Sequence, residues 1–132
     1  MLGVYREWDE GEGVSFDPLL RPGETRRTRR YRAAHNVGHY RWVRVERVDE
    51  GRPEGDLEPA GELRFAYDPS LRGQDLFDVP VQRMSCGPLV EERYRLENGR
   101  VRFEVVDLDS GFGLSGVLCG RLRPSREPWR PS

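Results

Sequence analysis

The sequence predicts an all-β protein, built as an antiparallel β-sandwich. Short segments rich in Val and aromatic residues alternate between apolar and polar positions, which is the pattern of half-buried strands. Gly, Pro, Asn and acidic residues separate these segments, and such residues suit chain reversals. No segment of about 11 or more residues keeps the 3.6-residue apolar period of an amphipathic helix.

Length and composition predict a single domain. The chain has 132 residues, of which 36% are hydrophobic and 34% are charged, against about 25% charged in ordinary domains. The apolar residues must therefore be concentrated in short two-faced elements. We expect one β-sandwich domain over residues 1–123, and an extended tail over residues 124–132, where three prolines occur.

Five segments outside the central hairpin have the length and content of strands. In chain order these are Leu2–Trp8, Arg26–Ala34, Gly38–Val48, Glu62–Tyr67 and Leu114–Leu122. The stretches Asp49–Gly61 and Asp68–Gly73 are rich in turn residues and are predicted to be connections. Asp68-Pro69 can also open one helical turn, because proline suits the first helical position.

A β-hairpin is predicted over Leu89–Asp107. Asn98-Gly99 separates two alternating segments, and this dipeptide tolerates the positive φ angles of a type I′ turn. Pairing of Glu97 with Arg100 places Leu96 opposite Val101 and Tyr94 opposite Phe103 on one face of the hairpin. The same register places Arg93 opposite Glu104 on the other face.

The charge pattern argues against nucleic acid and against a membrane. The formal net charge is −1, which provides no general attraction to a polyanion. The one basic run, Arg26–Arg32 with Tyr31 inside it, resembles a platform for single-stranded nucleic acid. In a strand, however, Arg27 and Arg29 share one face and the other arginines share the opposite face, so we favour an ion-paired sheet edge. No apolar run approaches the roughly 20 residues that span a bilayer.

Cysteine and histidine residues give weak indications of chemistry. His35, His39, Cys86 and Cys119 are possible zinc ligands, but the cysteines lack the paired spacing of structural zinc sites. Neither cysteine shows spacing that indicates a Cys-His nucleophilic pair. The acidic runs are typical of solvated turns. We therefore expect no catalytic residue, no metal and no cofactor, and two isolated cysteines favour a reducing cytoplasm.

Three stretches, in order, resemble the substrate-binding β-sandwich of the seventy-kilodalton heat-shock chaperones, the DnaK-like family. They are Gly13–Phe16 followed by Pro18–Glu24, then Tyr31–Gly51 with Ala33–Gly38 as a loop, and finally Val90–Val101 followed by Asp107–Gly111. His35–Arg41, Pro53–Asp56 and Phe65–Pro69 are similar to an atypical bacterial variant. The resemblance covers about residues 13–122.

The resemblance implies a cleft that holds an extended apolar peptide or a segment of a partner protein. Nine residues are the peptide-binding candidates that follow from it: Ser15, Phe16, Ala33, Ala34, His35, Asn36, Val37, Gly38 and Tyr40. In that family a separate ATPase domain controls the cleft and a helical lid covers it. The sequence shows no ATPase domain, interdomain linker or lid, so we do not expect ATP-driven cycling from this chain alone, and a separate DnaK-like ATPase is an expected partner.

Two alternatives stay open at this stage. The same sandwich can serve as a scaffold or assembly subunit whose cleft is vestigial. His35-Asn36 can cap a turn rather than bind a ligand, because Asn tolerates the left-handed backbone conformation and Gly38 follows closely.

Overall fold

A computed structural model describes residues 1–7, 14–50 and 52–118. Within this part of the chain the protein is a two-sheet, all-β fold. The predicted tail over residues 124–132, Cys119 and the end of the predicted last strand lie outside the described residues. Among the described residues there is no α-helix, and a single 3₁₀ turn spans Pro69–Leu71.

Eight strands form two antiparallel sheets of four strands each. In chain order the strands are β1 (Leu2–Glu7), β2 (Val14–Leu20), β3 (Arg26–Arg32), β4 (Val37–Asp49), β5 (Arg52–Ala66), β6 (Leu89–Glu97), β7 (Arg100–Asp107) and β8 (Gly113–Val117). The first sheet has the order β2-β1-β4-β5 and the second has the order β3-β6-β7-β8. The strands β2 and β3, consecutive in the chain, are therefore edge strands of different sheets.

The predicted connection Asp49–Gly61 is wrong, because most of it belongs to β5. This strand pairs with β4 from Asp49↔Arg52 to Val37↔Ala66, with register shifts near Val43 and Val45. Proline is tolerated in an edge strand, where its missing N–H leaves no ladder partner unsatisfied. The edge position of β5 and these bulges explain how a segment containing Pro53 and Pro59 pairs so extensively.

The predicted hairpin is confirmed in position and register. Glu97 pairs with Arg100 and Tyr94 with Phe103, and Asn98 and Gly99 have φ angles of 51° and 76°. The helical turn predicted after Asp68 also forms, and the Asp68 side chain accepts a hydrogen bond from the Ser70 N–H. Local turn chemistry determines both features, so the sequence alone sufficed to predict them.

The core lies between the two sheets and is rich in aromatic rings. Trp42 on β4 lies with its ring centroid 4.6 Å from that of Phe103 on β7 and 5.7 Å from that of Tyr40. Buried aliphatic residues from both sheets complete it: Leu2, Val4, Leu19, Leu20, Val90, Val101 and Val105. Side chains that alternate inward along each strand thus fill the sandwich interior.

Candidate functional site

Most of the predicted peptide-binding residues lie in or beside the loop between β3 and β4, and most of them are buried. Ala33, His35, Asn36, Val37 and Tyr40 are each less than 10% exposed. Gly38 is buried as well, whereas Ala34 is exposed. Only Ala34 of this group can therefore meet a ligand without rearrangement of its surroundings.

The other two predicted residues lie on β2. Ser15 pairs with Arg6 of β1 through the backbone ladder. Phe16 is half-buried and its ring lies edge-on to Tyr5, with centroids 5.0 Å apart. The structure therefore places Phe16 with a residue of its own sheet, while its neighbour Asp17 contacts the other sheet.

A segment of the same chain covers the β3–β4 loop. The Asn36 N–H donates to the Gln82 carbonyl at 2.9 Å, and the Met84 N–H donates to the Ala34 carbonyl at 2.8 Å. The Asn36 side chain donates to the Pro80 carbonyl at 3.1 Å and accepts from the Gln82 N–H at 2.7 Å. We call residues 80–84 the covering segment. It pairs with the loop in the way that a bound peptide strand would.

The Asn36 carbonyl closes the opposite side of the loop. It accepts hydrogen bonds from the N–H groups of Tyr67 at 2.8 Å and Asp68 at 3.0 Å. Gly38 is packed tightly here, since a Cβ atom on it would lie 2.2 Å from the Tyr67 hydroxyl oxygen. The left-handed conformation considered for Asn36 is not observed, since Glu50 and Asn98 are the non-glycine residues with positive φ angles in the described ranges. His35 instead forms an isolated β-bridge with Arg83.

Tyrosine and glutamate side chains link the two sheets inside the core. Glu92, which is 0% exposed, accepts hydrogen bonds from the hydroxyls of Tyr31 and Tyr94, the latter at 2.5 Å. The Tyr31 hydroxyl also lies 2.5 Å from that of Tyr40, and Tyr40 bonds to Tyr67. We call these five residues the tyrosine–glutamate network. Buried polar groups need such partners, because desolvation without them is costly.

Burial raises the pKa of Tyr40 well above its usual value, and the nearby Tyr67, Tyr31 and Glu92 add to the shift. The Tyr40 hydroxyl therefore stays protonated at any physiological pH. A neutral hydroxyl can donate one hydrogen bond and accept others. Tyr40, on β4 of the first sheet, thus connects Tyr31 on the second sheet with Tyr67, which directly follows β5. It is a structural residue rather than a ligand contact.

A small pocket of about 220 Å³ opens beside this network, between the edge strands β2 and β3. We call it the edge pocket. Its lining consists of Asp17, Arg29, Tyr31, Arg32, Ala33, Ala34 and Tyr67. Arg29 and Asp17 form an ion pair at 2.8 Å across the gap between the strands. Pockets for drug-sized ligands have volumes of about 300–1,000 Å³, so the edge pocket suits a single side chain.

The outer edge of β3 borders the edge pocket. The Ala33 N–H donates towards the β6 side, to Pro88, and strand backbone groups alternate in direction. The N–H and C=O groups of Arg30 and Arg32 therefore point away from β6. In the described part of the chain no strand pairs with β3 on that side. This edge can accept another strand.

An ion pair and a hydrogen bond elsewhere have structural roles. Arg72 donates to Asp107 at 2.7 Å and to the Ala66 carbonyl at 3.1 Å, and so fastens the loop after β5 to the end of β7. Burial alone would raise the pKa of Asp107, but the hydrogen bonds from Arg72 and Ser110 bring it below its usual value. On β5, the hydrogen bond with the buried His39 lowers the pKa of Glu62.

The structure does not assemble the four proposed zinc ligands into a described site. Cys86 is exposed, His35 and His39 are buried, and Cys119 lies outside the described residues. Among the residues that the structure describes, no three His, Cys, Asp or Glu side chains are grouped as metal ligands. No helix in the described ranges is long and apolar enough to cross a membrane.

The edge pocket combines residues that were predicted with residues that were missed. Ala33 and Ala34 were candidates from the resemblance, whereas Tyr67, Asp17 and Arg29 were not. A signal for the network was present, because Glu92 falls between Val90 and Tyr94 at the spacing of inward positions in a strand. A carboxylate at such a position needs hydrogen-bond donors, and Tyr31 on the neighbouring β3 and Tyr94 on β6 itself supply them.

Comparisons with known proteins identify no relative of this chain. No protein-family model matches the sequence, no curated protein matches it, and no solved structure matches it.

Proposed function

We propose that this chain is a non-enzymatic binding module for an extended apolar segment of a peptide or partner protein, in the manner of a DnaK-like substrate-binding domain. The guest lies along the outer edge of β3 and inserts one side chain into the edge pocket. The observation that carries the proposal is the coincidence of an open strand edge with a pocket lined by Tyr31, Ala33 and Ala34.

This arrangement matches a known mode of peptide recognition. An added strand obtains affinity from backbone hydrogen bonds and specificity from pockets for alternate side chains. Tyr31 points inward from β3, and Arg30 and Arg32 beside it present backbone groups outward. A guest residue opposite Tyr31 would therefore face the edge pocket. The ring of Tyr31 and the methyl groups of Ala33 and Ala34 provide an apolar wall.

The proposal locates the guest at the strand edge and not within the β3–β4 loop. Asn36 and Ala34 already bond to the covering segment, so a peptide entering the loop must first displace it. The edge pocket requires no such displacement. Of the nine residues that the resemblance implies, the exposed Ala34 is the one assigned to direct contact.

Ala34→Trp tests the proposal, because an indole at this exposed position would fill the edge pocket without disturbing the core. Fluorescence anisotropy with labelled apolar heptapeptides should show saturable binding to the natural sequence. The variant should bind at least about tenfold more weakly, since it loses the pocket contact of the anchoring side chain. Val37 is unsuitable for this test, because it is 1% exposed and a polar substitution there would unfold the protein.

Gln74→Trp is the matched control. Gln74 is exposed and lies in the loop after the 3₁₀ turn, so its substitution adds the same side chain away from the edge pocket. Both variants should keep the melting temperature of the natural protein. Failure of the natural protein to bind any apolar peptide saturably would contradict the proposal, as would equal affinities for Ala34→Trp and Gln74→Trp.

One observation favours a second function, that of an assembly subunit with a closed cleft. The covering segment occupies the loop where the resemblance implies a peptide, so the cleft is filled by the chain itself. Light scattering after size exclusion separates the two functions. A stable oligomer without peptide affinity supports assembly, whereas a monomer that binds peptide supports the binding module. Pull-down from the native host would show whether a DnaK-like ATPase accompanies it.

A further inference from the structure

The outward face of the second sheet is strongly basic along β3 and its neighbours. Regular pairing places alternate residues of each strand on this face. Its arginines are Arg26, Arg30, Arg32, Arg93, Arg95, Arg100 and Arg102, and its glutamates are Glu91, Glu97 and Glu104. The excess of arginine over glutamate gives this face a positive charge in a protein whose formal net charge is −1.

Three of these arginines lie side by side across three strands. Arg26 pairs in register with Arg95, and Arg95 with Arg102. Like charges directly opposite each other in a sheet are destabilising. Glu97 lies 2.7 Å from Arg102 and 3.9 Å from Arg95, so a single carboxylate serves two guanidinium groups. Arg26 forms no ion pair with any described residue.

The row formed by Arg102, Arg95 and Arg26 ends at the outer edge of β3, where the proposed guest would lie. In paired strands, residues directly opposite each other point to the same face. Guest residues opposite Arg26, Arg30 and Arg32 would therefore lie on the basic outward face, and those opposite Arg29 and Tyr31 would point towards the edge pocket. A carboxylate opposite Arg26 would supply an ion-pair partner that the described residues do not provide.

We infer that the preferred guest is an extended segment in which acidic residues alternate with apolar ones. This inference rests on the proposed function and specifies its substrate class. The apolar residues face the edge pocket, while the acidic residues pair across the strands with Arg26, Arg30 and Arg32. Opposite-charge pairs in this arrangement add to the affinity and fix the register of the guest.

The same face is less suited to nucleic acid. The aromatic residues Tyr31, Tyr94 and Phe103 point inward from it, so within the described residues this face offers bases no ring for stacking. The interleaved glutamates also repel phosphates. The backbone groups at the edge of β3 match a polypeptide, because they can continue its hydrogen-bond ladder.

Three labelled peptides of equal length test the inference. Each alternates Leu with a second residue, which is Asp in the first, Asn in the second and Arg in the third. The Asp peptide should bind the natural protein about tenfold more tightly than the Asn peptide at low salt, from three favourable cross-strand pairs. This advantage should shrink as salt is raised, because exposed charges are screened. The Arg peptide should bind weakest.

The variant Arg26→Gln should reduce the preference for Asp while leaving affinity for the Asn peptide unchanged. Arg32 is left intact, because it lines the edge pocket. Arg30 is left intact, because its contact at 2.6 Å with Glu91 supports the sheet. The control is Arg47→Gln, a similarly exposed arginine on the β4–β5 hairpin. It should retain the full preference for Asp.

The outcomes separate this inference from the proposed function. Equal, salt-independent binding of all three peptides would overturn the acidic preference and leave peptide binding intact. No binding of any peptide would overturn both. A single-stranded oligonucleotide that binds, when the Asp peptide does not, would overturn the inference in favour of a nucleic-acid surface.

Discussion

The β3–β4 loop and the edge pocket are adjacent, yet one is closed and the other is open. In the loop, the backbone groups of Ala34 and Asn36 bond to the covering segment. At the edge pocket, a few residues earlier in the chain, the outward backbone groups of Arg30 and Arg32 have no strand beside them in the described structure. The difference shows that proximity to an implied cleft does not make a residue accessible, and that unpaired backbone is the better guide to a strand-binding site.

The two regions share the tyrosine–glutamate network beneath them, and disruption of this network should have the largest effect on stability. Glu92→Ala removes the acceptor for the hydroxyls of Tyr31 and Tyr94 and leaves a cavity. We expect a loss of about 1–3 kcal/mol in the free energy of unfolding for each of the two hydroxyls, because each would stay buried without this acceptor. Urea denaturation followed by tryptophan fluorescence measures this change.

Glu104→Ala is the control for that experiment. Glu104 lies on β7 and pairs with Arg93 at 2.7 Å, but both side chains are more than 40% exposed. Exposed ion pairs contribute at most about 1 kcal/mol. If the two alanine variants lost similar stability, the network would not connect the sheets in the way described.

A smaller effect should follow from release of the covering segment. Asn36→Ala removes the bonds to the Pro80 carbonyl and the Gln82 N–H, so the free energy of unfolding should fall by about 1–3 kcal/mol. The variant should also expose the Gln82 amide to faster hydrogen exchange. If the loop is a latent peptide site, the same variant should gain peptide affinity.

Gln74→Ala provides the comparison, since it removes one exposed side-chain bond to the Ser70 carbonyl. It should leave stability and exchange at Gln82 unchanged. Unaltered exchange at Gln82 in Asn36→Ala would mean that the covering segment is held by other contacts.

The sequence predicted those parts of the fold that depend on local chemistry. The Asn98-Gly99 turn determines the hairpin register, and alternation identified most strands. The sequence-based prediction failed at β5. Pro53 and Pro59 indicate a loop there unless the strand is known to lie at a sheet edge. Edge position is a property of the whole topology, and no local pattern encodes it.

The candidate site was predictable only in part, for the same reason. The edge pocket forms because β2 and β3 end different sheets and meet at Arg29 and Asp17, a relation that chain order does not reveal. The hydrogen bonds of Ala34 and Asn36 likewise depend on the covering segment, which lies 46 residues along the chain at Gln82. Strand alternation predicts the inward position of Glu92, but its contact with Tyr31 depends on the pairing of β3 with β6, which the local pattern does not encode.

The central claim is that a guest strand pairs with the outer edge of β3, and hydrogen exchange of individual backbone amides tests it most directly. Addition of a saturating alternating Asp-Leu peptide should slow exchange at the amides of Arg30 and Arg32, because these groups would become hydrogen-bonded. Exchange at Asn36 and Gln82 should stay the same. Protection that appears at Asn36 and Gln82, with none at Arg30 and Arg32, would contradict the account.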